Sequence, residues 1–421
     1  MAHYETRSWP ADPTVPGGKA ERRAVRYRAF VPDPIAKLEL ALPSAVAGVV
    51  SRVERVVAEL NHDPPRMASL EVLARRLLRS ESVASSRIEG LVLSQRRLAR
   101  AEVEEANARD ETARSVLGNV AAMEHAVGLG ASARPLKVSD VLALNRMLML
   151  ATAPHIAGVL RERQNWLGGN VYNPGRADYV PPPPEYVSEL LADLVEFINR
   201  SDLPPVVQAA LAHAQFELIH PFADGNGRVG RALIHVVLRR GALALRYVPP
   251  VSLVLAADSK AYINGITAFR EGRTDDWLLH FARALERAAQ SAIELAARLA
   301  TLQAEWRARA GHPRRDSSAE ALIVELPAHP IVTLGTAQEF LGRSKQAVNE
   351  AIAALAEKGV LQETTLAKRN RAWEARELFD LIDDIERELA TPVGDDEPAR
   401  PAPRLGGGET GKPGPGAKSA E

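Results

Sequence analysis

Between residues 45 and 310, apolar side chains recur at helical spacing with few breakers, and this pattern commits most of the chain to helices. Ala45 to Leu60 carries one stripe, and Leu70, Leu73, Ala74, Leu77 and Leu78 carry the next. Val206, Ala210, Leu211, Ala214 and Leu218 form another, and Leu233, Ile234, Val237 and Leu238 a further one that ends near Gly241. A long Ala-rich helix is expected from about Asp275 to Ala310, as a core or dimer helix. The expected fold class is therefore mainly α.

Two stretches interrupt the pattern. Leu160 to Pro184 has scattered aromatics, a turn signal at Asn173-Pro174-Gly175 and then four prolines, Pro181 to Pro184. This predicts a short β-hairpin with a rigid polyproline exit. Gly311 to Ser318 is polar and reads as a linker, after which Ser318 to Leu389 forms a unit of its own. Residues 1–29 are rich in Pro, Gly and charge and are expected as an extended arm. Residues 392–421 combine Pro and Gly with no aromatic residue, a composition that cannot offset the entropy of ordering, and are expected as a disordered tail.

Composition excludes several function classes. At 421 residues the chain is long enough for two or three domains. Lys+Arg and Asp+Glu are both 53, so a globally basic nucleic-acid coat is excluded while a local basic patch is not. Cysteine is absent, which removes disulfides, thiolate metal sites and a cysteine nucleophile and fits a cytoplasmic location. No apolar run reaches the ~18 residues of a membrane span, and the amino terminus lacks the apolar core of a secretory signal.

The segment with chemistry is His220 to Arg231, HPFADGNGRVGR, a loop that runs into a helix. Gly225 and Gly227 let the backbone turn and expose successive N–H groups, which at a helix N-terminus make an anion nest. Arg228 and Arg231, three apart, would project to one side of the helix and suit a di- or triphosphate. Asp224 offers one hard oxygen of the kind that Mg²⁺ takes alongside phosphate oxygens. Asn226 can bond a phosphate oxygen, His220 is placed to take a proton from a hydroxyl, and Phe222 is expected to anchor the loop in the core. Together these describe phosphoryl-group chemistry, in which positioning and charge stabilisation dominate. Neither GxxxxGK[ST] nor HExxH occurs.

These residues resemble the Fic motif, HxFx[DE]GNGRxxR, at every specified position. The likeness extends from about Phe30 to Ala310. Phe30 to Asn61 resembles the Fic/DOC N-terminal extension, with the helical extension expected over residues 30–115 and the Fic core over residues 116–310. Gln164-Asn165-Trp166, Leu167-Gly168-Gly169 and Ala177-Asp178-Tyr179-Val180 resemble the Fic flap. Lys260 to Arg270 with Asp276-Trp277 resembles the nucleotide-base wall.

The resemblance implies a nucleotidyltransferase that moves AMP from ATP, with Mg²⁺, onto a Ser, Thr or Tyr hydroxyl of a protein, itself included. It implies His220 as base, Asp224 as the Mg²⁺ ligand, and Gly225, Asn226, Gly227, Arg228 and Arg231 as phosphate holders. It further implies Tyr262 and Ile266 at the base, and Trp166, Gly168, Gly169 and Tyr179 in a flap that docks the target by strand addition. Ile263 stands where many relatives carry a second tyrosine, which keeps a donor other than ATP open.

Upstream, Ser85 to Gly90 (SSRIEG) resembles the Fic inhibitory motif [ST]xxxE[GN]. Ser85 and Glu89 are four apart and so share a helix face, with Gly90 as a helix stop. The resemblance implies that Glu89 pairs with Arg231 and withholds it from the γ-phosphate. In some relatives the same carboxylate supports removal of AMP, and that activity is left open here.

Residues 318–389 read as helix, short helix, helix and an extended stretch, resembling a winged helix. Arg343, Lys345, Gln346 and Asn349 would lie on a reading helix, with Lys368, Arg369 and Arg371 in a wing. The expected partners are ATP, a target protein, a second copy of the chain and duplex DNA, and no membrane. The rival reading is a DNA-binding regulator whose Fic core only senses nucleotide.

Overall fold

The structure, a computed structural model, describes residues 1–62, 70–104, 110–366 and 370–390. Lys368, Arg369 and the tail 392–421 lie outside the described residues. The chain begins with β1 (His3–Trp9), α1 (Lys19–Arg22) and β2 (Val25–Val31). The helical body follows as α2 (Ser44–His62), α3 (Leu70–Ile88), α4 (Gln95–Val103), α5 (Glu111–Ala131), α6 (Val138–Met149), α7 (Pro184–Ile198), α8 (Pro205–Ile219), α9 (Asn226–Arg240), α10 (Val251–Ala257), α11 (Ser259–Arg270) and α12 (Thr274–Arg309). The C-terminal elements are α13 (Ser318–Glu325), β3 (Ile331–Val332), α14 (Leu334–Leu341), α15 (Lys345–Glu357), β4 (Gln362–Leu366), β5 (Asn370–Glu374) and α16 (Arg376–Ala390). The fold is mainly helical with small antiparallel sheets, as the periodicity requires.

At the centre lies α8, with α2, α7, α9, α11 and α12 packed around it. It is buried on every side, so its sequence is apolar all round and not striped. Its alanines let neighbours approach closely, and the Trp277 indole of α12 donates to the Ala210 carbonyl at 2.9 Å. Pro205 occupies the first turn of α8, where its missing N–H costs nothing. The long α12 serves two cores. Trp277, Leu278, Phe281 and Leu285 pack in the central one. Leu295, Leu299 and Trp306 pack with the C-terminal elements. Among the described residues no helix is long and apolar enough to cross a membrane.

Two sequence expectations change. Residues 1–29 are not a lone extended arm: β1 and β2 pair antiparallel, His3 opposite Val31 and Trp9 opposite Val25. The Pro and Gly residues that suggested an arm fall in the connection, while VRYRAFV alternates with the period of a half-buried strand. Conversely, the segment 160–184 is not a regular hairpin. Its internal pairing is a single bridge, Leu167 with Tyr179. Gly168 and Gly169 both have positive φ (74° and 71°), which turns the chain out of strand geometry before a ladder can form. Residues Pro174–Arg176, where a tight turn was expected, form one turn of 3-10 helix.

In the C-terminal part, β3, β5 and β4 form an antiparallel sheet in that order. Thr333 and Thr336 close a reciprocal cap on α14, Ser344 caps α15, and Gly342 ends α14 in the left-handed region at φ 61°.

Candidate functional site

Helix α8 ends at His220, whose backbone is itself left-handed (φ 49°), and α9 begins at Asn226. Between them the loop is pulled tight from inside. Phe222 is wholly buried and faces Phe216 at 6.3 Å. The Asn226 side chain clamps the Phe222 backbone from both sides, accepting from its N–H at 2.8 Å and donating to its carbonyl at 2.8 Å. Asn226 was expected to face phosphate; its amide is committed to closing the loop instead. Asn226→Ala should therefore lower stability by about 1–3 kcal/mol through the buried backbone groups it leaves unpaired. A thermal melt without nucleotide reads this directly, and an unchanged melt would contradict the clamp.

Gly225 caps α9 at φ 82°, a conformation that costs an L-residue strain. Gly227 is different: it lies inside the first turn of α9, and a Cβ there would overlap the Glu89 carboxylate. Its glycine serves close approach, not turning. The first N–H groups of this turn have no intrahelical partner, and they lie directly after Asp224 in the chain. The Asp224 side chain is 60% exposed, with Oδ1 accepting from the Gly225 N–H at 2.5 Å and standing 3.5 Å from Arg228. Among the described residues no three His, Asp or Glu side chains converge on a common point.

The two arginines are tied to different helices. Arg228 donates to Ser115 Oγ of α5 at 2.8 Å and lies 3.8 Å from Met149 Sδ. Arg231, 1% exposed, is held by α3: its Nε donates to Ser85 Oγ at 2.9 Å and its Nη2 to the Ser85 carbonyl at 2.8 Å. The same Nη2 meets Glu89 Oε1 at 2.7 Å, and Glu89 remains 27% exposed. Burial alone would push the Glu89 carboxyl up, but Arg231 outweighs it and holds the group below its ordinary value. Gly90 ends α3 at φ 81°, with the Leu91 N–H reaching back to the Ser86 carbonyl at 3.0 Å.

His220 is held down to about 4, chiefly by burial and then by the nearby Arg161 guanidinium, against a raising pull from Glu89. The imidazole is thus neutral and able to accept a proton at neutral pH, and loses that ability only as pH falls through about 4. An NMR titration of the His220 ring in nucleotide-free protein should give a midpoint near 4. A midpoint at the ordinary value of about 6.5 would contradict the buried setting.

Sequence reasoning passed over three residues here. Arg161, at the start of the segment 160–184, donates to the His220 carbonyl at 2.8 Å and the Pro182 carbonyl at 2.5 Å, fixing the loop and the polyproline exit together. Asn145 on α6 donates to the Asp224 carbonyl at 3.0 Å and accepts from the Gly158 N–H at 2.8 Å. Glu217, one helical turn before His220, is pushed up to about 7 by burial. Only Glu217 had a sequence signal, its i−3 spacing from the histidine. The other two are brought in by long-range packing.

The remaining expected site residues are placed less simply. Tyr262, expected on the wall of a base pocket, is 6% exposed, its hydroxyl 2.8 Å from His213 Nε2. Its ring lies against those of His213 and Trp277, because α11 packs on α8 and α12. Ile266 is half-buried against the same core, while Ile263 is 46% exposed. In the segment 160–184, Tyr179 donates to the Leu218 carbonyl at 2.6 Å and sits under Arg270 at 5.2 Å. Trp166 donates to the Asn170 carbonyl at 2.7 Å and meets Trp9 of β1 edge to face at 5.2 Å. Gly168 and Gly169 are closed over by the Asp178 side chain and the Arg176 carbonyl.

Comparison with known proteins agrees with this geometry. Residues 135–238 match the Fic/DOC family, and residues 48–128 match the Fic/DOC family N-terminal region. Protein adenylyltransferase fic-1 of Caenorhabditis briggsae is 32% identical over 130 residues, which are 30% of this chain and 23% of that protein. Protein adenylyltransferase Fic of Drosophila willistoni is 34% identical over 130 residues, with the same coverage of 30% and 23%. The chain thus spans under a quarter of the length of these relatives. The crystal structure of a Fic family protein from Desulfovibrio desulfuricans G20 shares the fold at a TM-score of 0.50 and 20% identity, over 82% of this chain and 98% of that one. Two segments of this chain thus match the Fic/DOC family and its N-terminal region, and its fold is shared with the Desulfovibrio Fic family protein.

Proposed function

We propose that the protein is an autoinhibited protein adenylyltransferase that moves AMP from ATP to a protein hydroxyl, itself included. The observation that carries this reading is the crevice at the start of α9. A neutral imidazole, an exposed carboxylate, a helix N-terminus and two buried arginines converge there. In this reading His220 accepts the proton of the attacking hydroxyl, which forms a new bond to the α-phosphorus as the bond to pyrophosphate breaks. The N–H groups of Asn226, Gly227 and Arg228 and the Arg231 guanidinium stabilise the charge that develops on the phosphates. Asp224 is the residue that would hold Mg²⁺. A single exposed carboxylate fits an ion that takes its other ligands from phosphates and water. When bound, the ion would supply charge neutralisation at the phosphates.

With Glu89 on Arg231, that guanidinium is withheld from the γ-phosphate, and ATP would bind unproductively. Protein bearing Glu89→Gly should take up label from α-labelled ATP and none from γ-labelled ATP. Label from γ-labelled ATP would make it a kinase, and no label from either would reject the reading. Competition by UTP or CDP-choline tests the donor, which the exposed Ile263 leaves open.

Residues 318–389 support a winged-helix-like reading through the order α13, β3, α14, α15 and a β4–β5 wing. Arg371 is paired with Glu363 at 2.7 Å, and Arg343 donates to the Asp316 carbonyl at 3.3 Å. With these two arginines bonded within the chain, a protein-facing role is favoured over DNA binding. A gel shift with duplex DNA at rising salt tests the alternative.

A further inference from the structure

The last turn of α3 is gripped from two sides. On one face Ser85 and Glu89 hold Arg231. On the other, Arg87 donates to Glu386 Oε2 of α16 at 2.8 Å. Residues at i and i+2 point to different helix faces, so Arg87 necessarily looks away from the arginine that its neighbours bind. Glu386, 12% exposed, also accepts from Gln95 Nε2 of α4 at 2.9 Å through its other oxygen. Gln95 in turn accepts from Arg76, a buried arginine two turns or more earlier on α3. One carboxylate from the C-terminal part therefore bridges both ends of the short connection, residues 89–94, that begins with Glu89.

The grip extends along the whole of α3 and α4. Leu73, Leu77 and Ala84 of α3 belong to the same apolar cluster as Leu322, Ile352, Ile382 and Ile385. Ala99 of α4 packs with Ile331, Leu366 and Phe379. Arg96 of α4 pairs with Glu374 of β5 at 2.9 Å through Nε, and Arg100 donates to Thr364 of β4 at 2.8 Å. Arg75 of α3 lies 2.9 Å from His329, just before β3. The back of α3 is thus part of the core of residues 318–389, while its front reaches the catalytic crevice.

A helix end is the part that frays most readily, and α3 ends at a left-handed glycine; besides the contacts above, its last turn is held by Asn119 of α5, which donates to Ser86 Oγ at 3.1 Å. Its last turn can hold Glu89 against Arg231 only while something fixes its rotation and reach. We infer that Glu386 is a positioning residue for Glu89, and that through it the C-terminal unit sets how closed the catalytic crevice is. This rests on the reading of Glu89 as the brake. In this arrangement, a partner that shifts α16 would loosen the brake without touching the crevice.

The test uses full-length protein with Glu386→Ala and, separately, Arg87→Ala, which breaks the same pair from the more exposed side. Two readouts are combined. Amide hydrogen exchange over residues 85–91 should speed up at least several-fold in both variants, with the rest of α3 less affected. Label transfer from α-labelled ATP should rise about tenfold, and neither substitution should raise it further when added to Glu89→Gly. Unchanged exchange at 85–91, or an equal rise in the Glu89→Gly background, would overturn the inference. Faster exchange together with a silent Glu89→Gly protein would instead leave the positioning intact and reject the catalytic reading.

Discussion

Replacing Glu89 by glycine is expected to raise label transfer from α-labelled ATP by up to about 100-fold. A crevice held 99% closed corresponds to a bias of about 2.7 kcal/mol, and removing the carboxylate removes that bias. The structure contains a contact of suitable strength. Arg231 is fully buried, meets Glu89 Oε1 at 2.7 Å, and is backed by two bonds to Ser85. A charge-assisted pair with one desolvated partner can reach this magnitude, whereas a surface ion pair contributes about 0–1 kcal/mol. The substitution also removes the group that crowds Gly227, so the first turn of α9 becomes open to phosphate. Initial rates of self-labelling for wild type and variant, on protein shown to be folded by circular dichroism, decide the matter. A ratio near one would remove Glu89 as the brake.

The second large effect is at His220. In the Glu89→Gly protein, His220→Ala should lower the rate of transfer by about 10²–10⁴, the usual contribution of a positioned general base. Nucleotide binding should survive, because the groups proposed to face phosphate belong to α9 and its first turn while the imidazole belongs to the end of α8. The expected signature is a fall in rate with little change in the ATP concentration needed for half-saturation. Retention of most of the rate would assign the proton to another acceptor. The first place to look would then be Glu217, which burial holds near neutrality one turn away.

How much of this was legible beforehand differs from residue to residue. The loop between α8 and α9 was readable because its instructions are local. Gly225 must turn, Phe222 must bury, and the helix starts directly after that turn. The Ser85–Glu89 spacing likewise names one helix face. By contrast, the work of the Asn226 side chain and the reason for a glycine at 227 were not legible in the sequence. The clamp on Phe222 and the approach of Glu89 depend on where the chain comes back, which spacing does not encode. The segment 160–184 reads in sequence as a short hairpin, because aromatic residues and a turn signal resemble strand pattern, and the structure keeps only one antiparallel bridge of it. Two adjacent left-handed glycines and the N-terminal β-pair packed beside them make it an irregular loop instead.

The amino-acid order alone determined the mainly helical class, the loop between α8 and α9 and the helix face that Ser85 and Glu89 share, since each depends on residues within a few turns of one another. Only the tertiary structure decided that Arg228 is tied to Ser115, that Tyr262 is turned into the core, and that α3 is shared between the crevice and the C-terminal unit. Those contacts join residues more than forty positions apart, and burial of apolar surface, not local geometry, selects which distant segments meet.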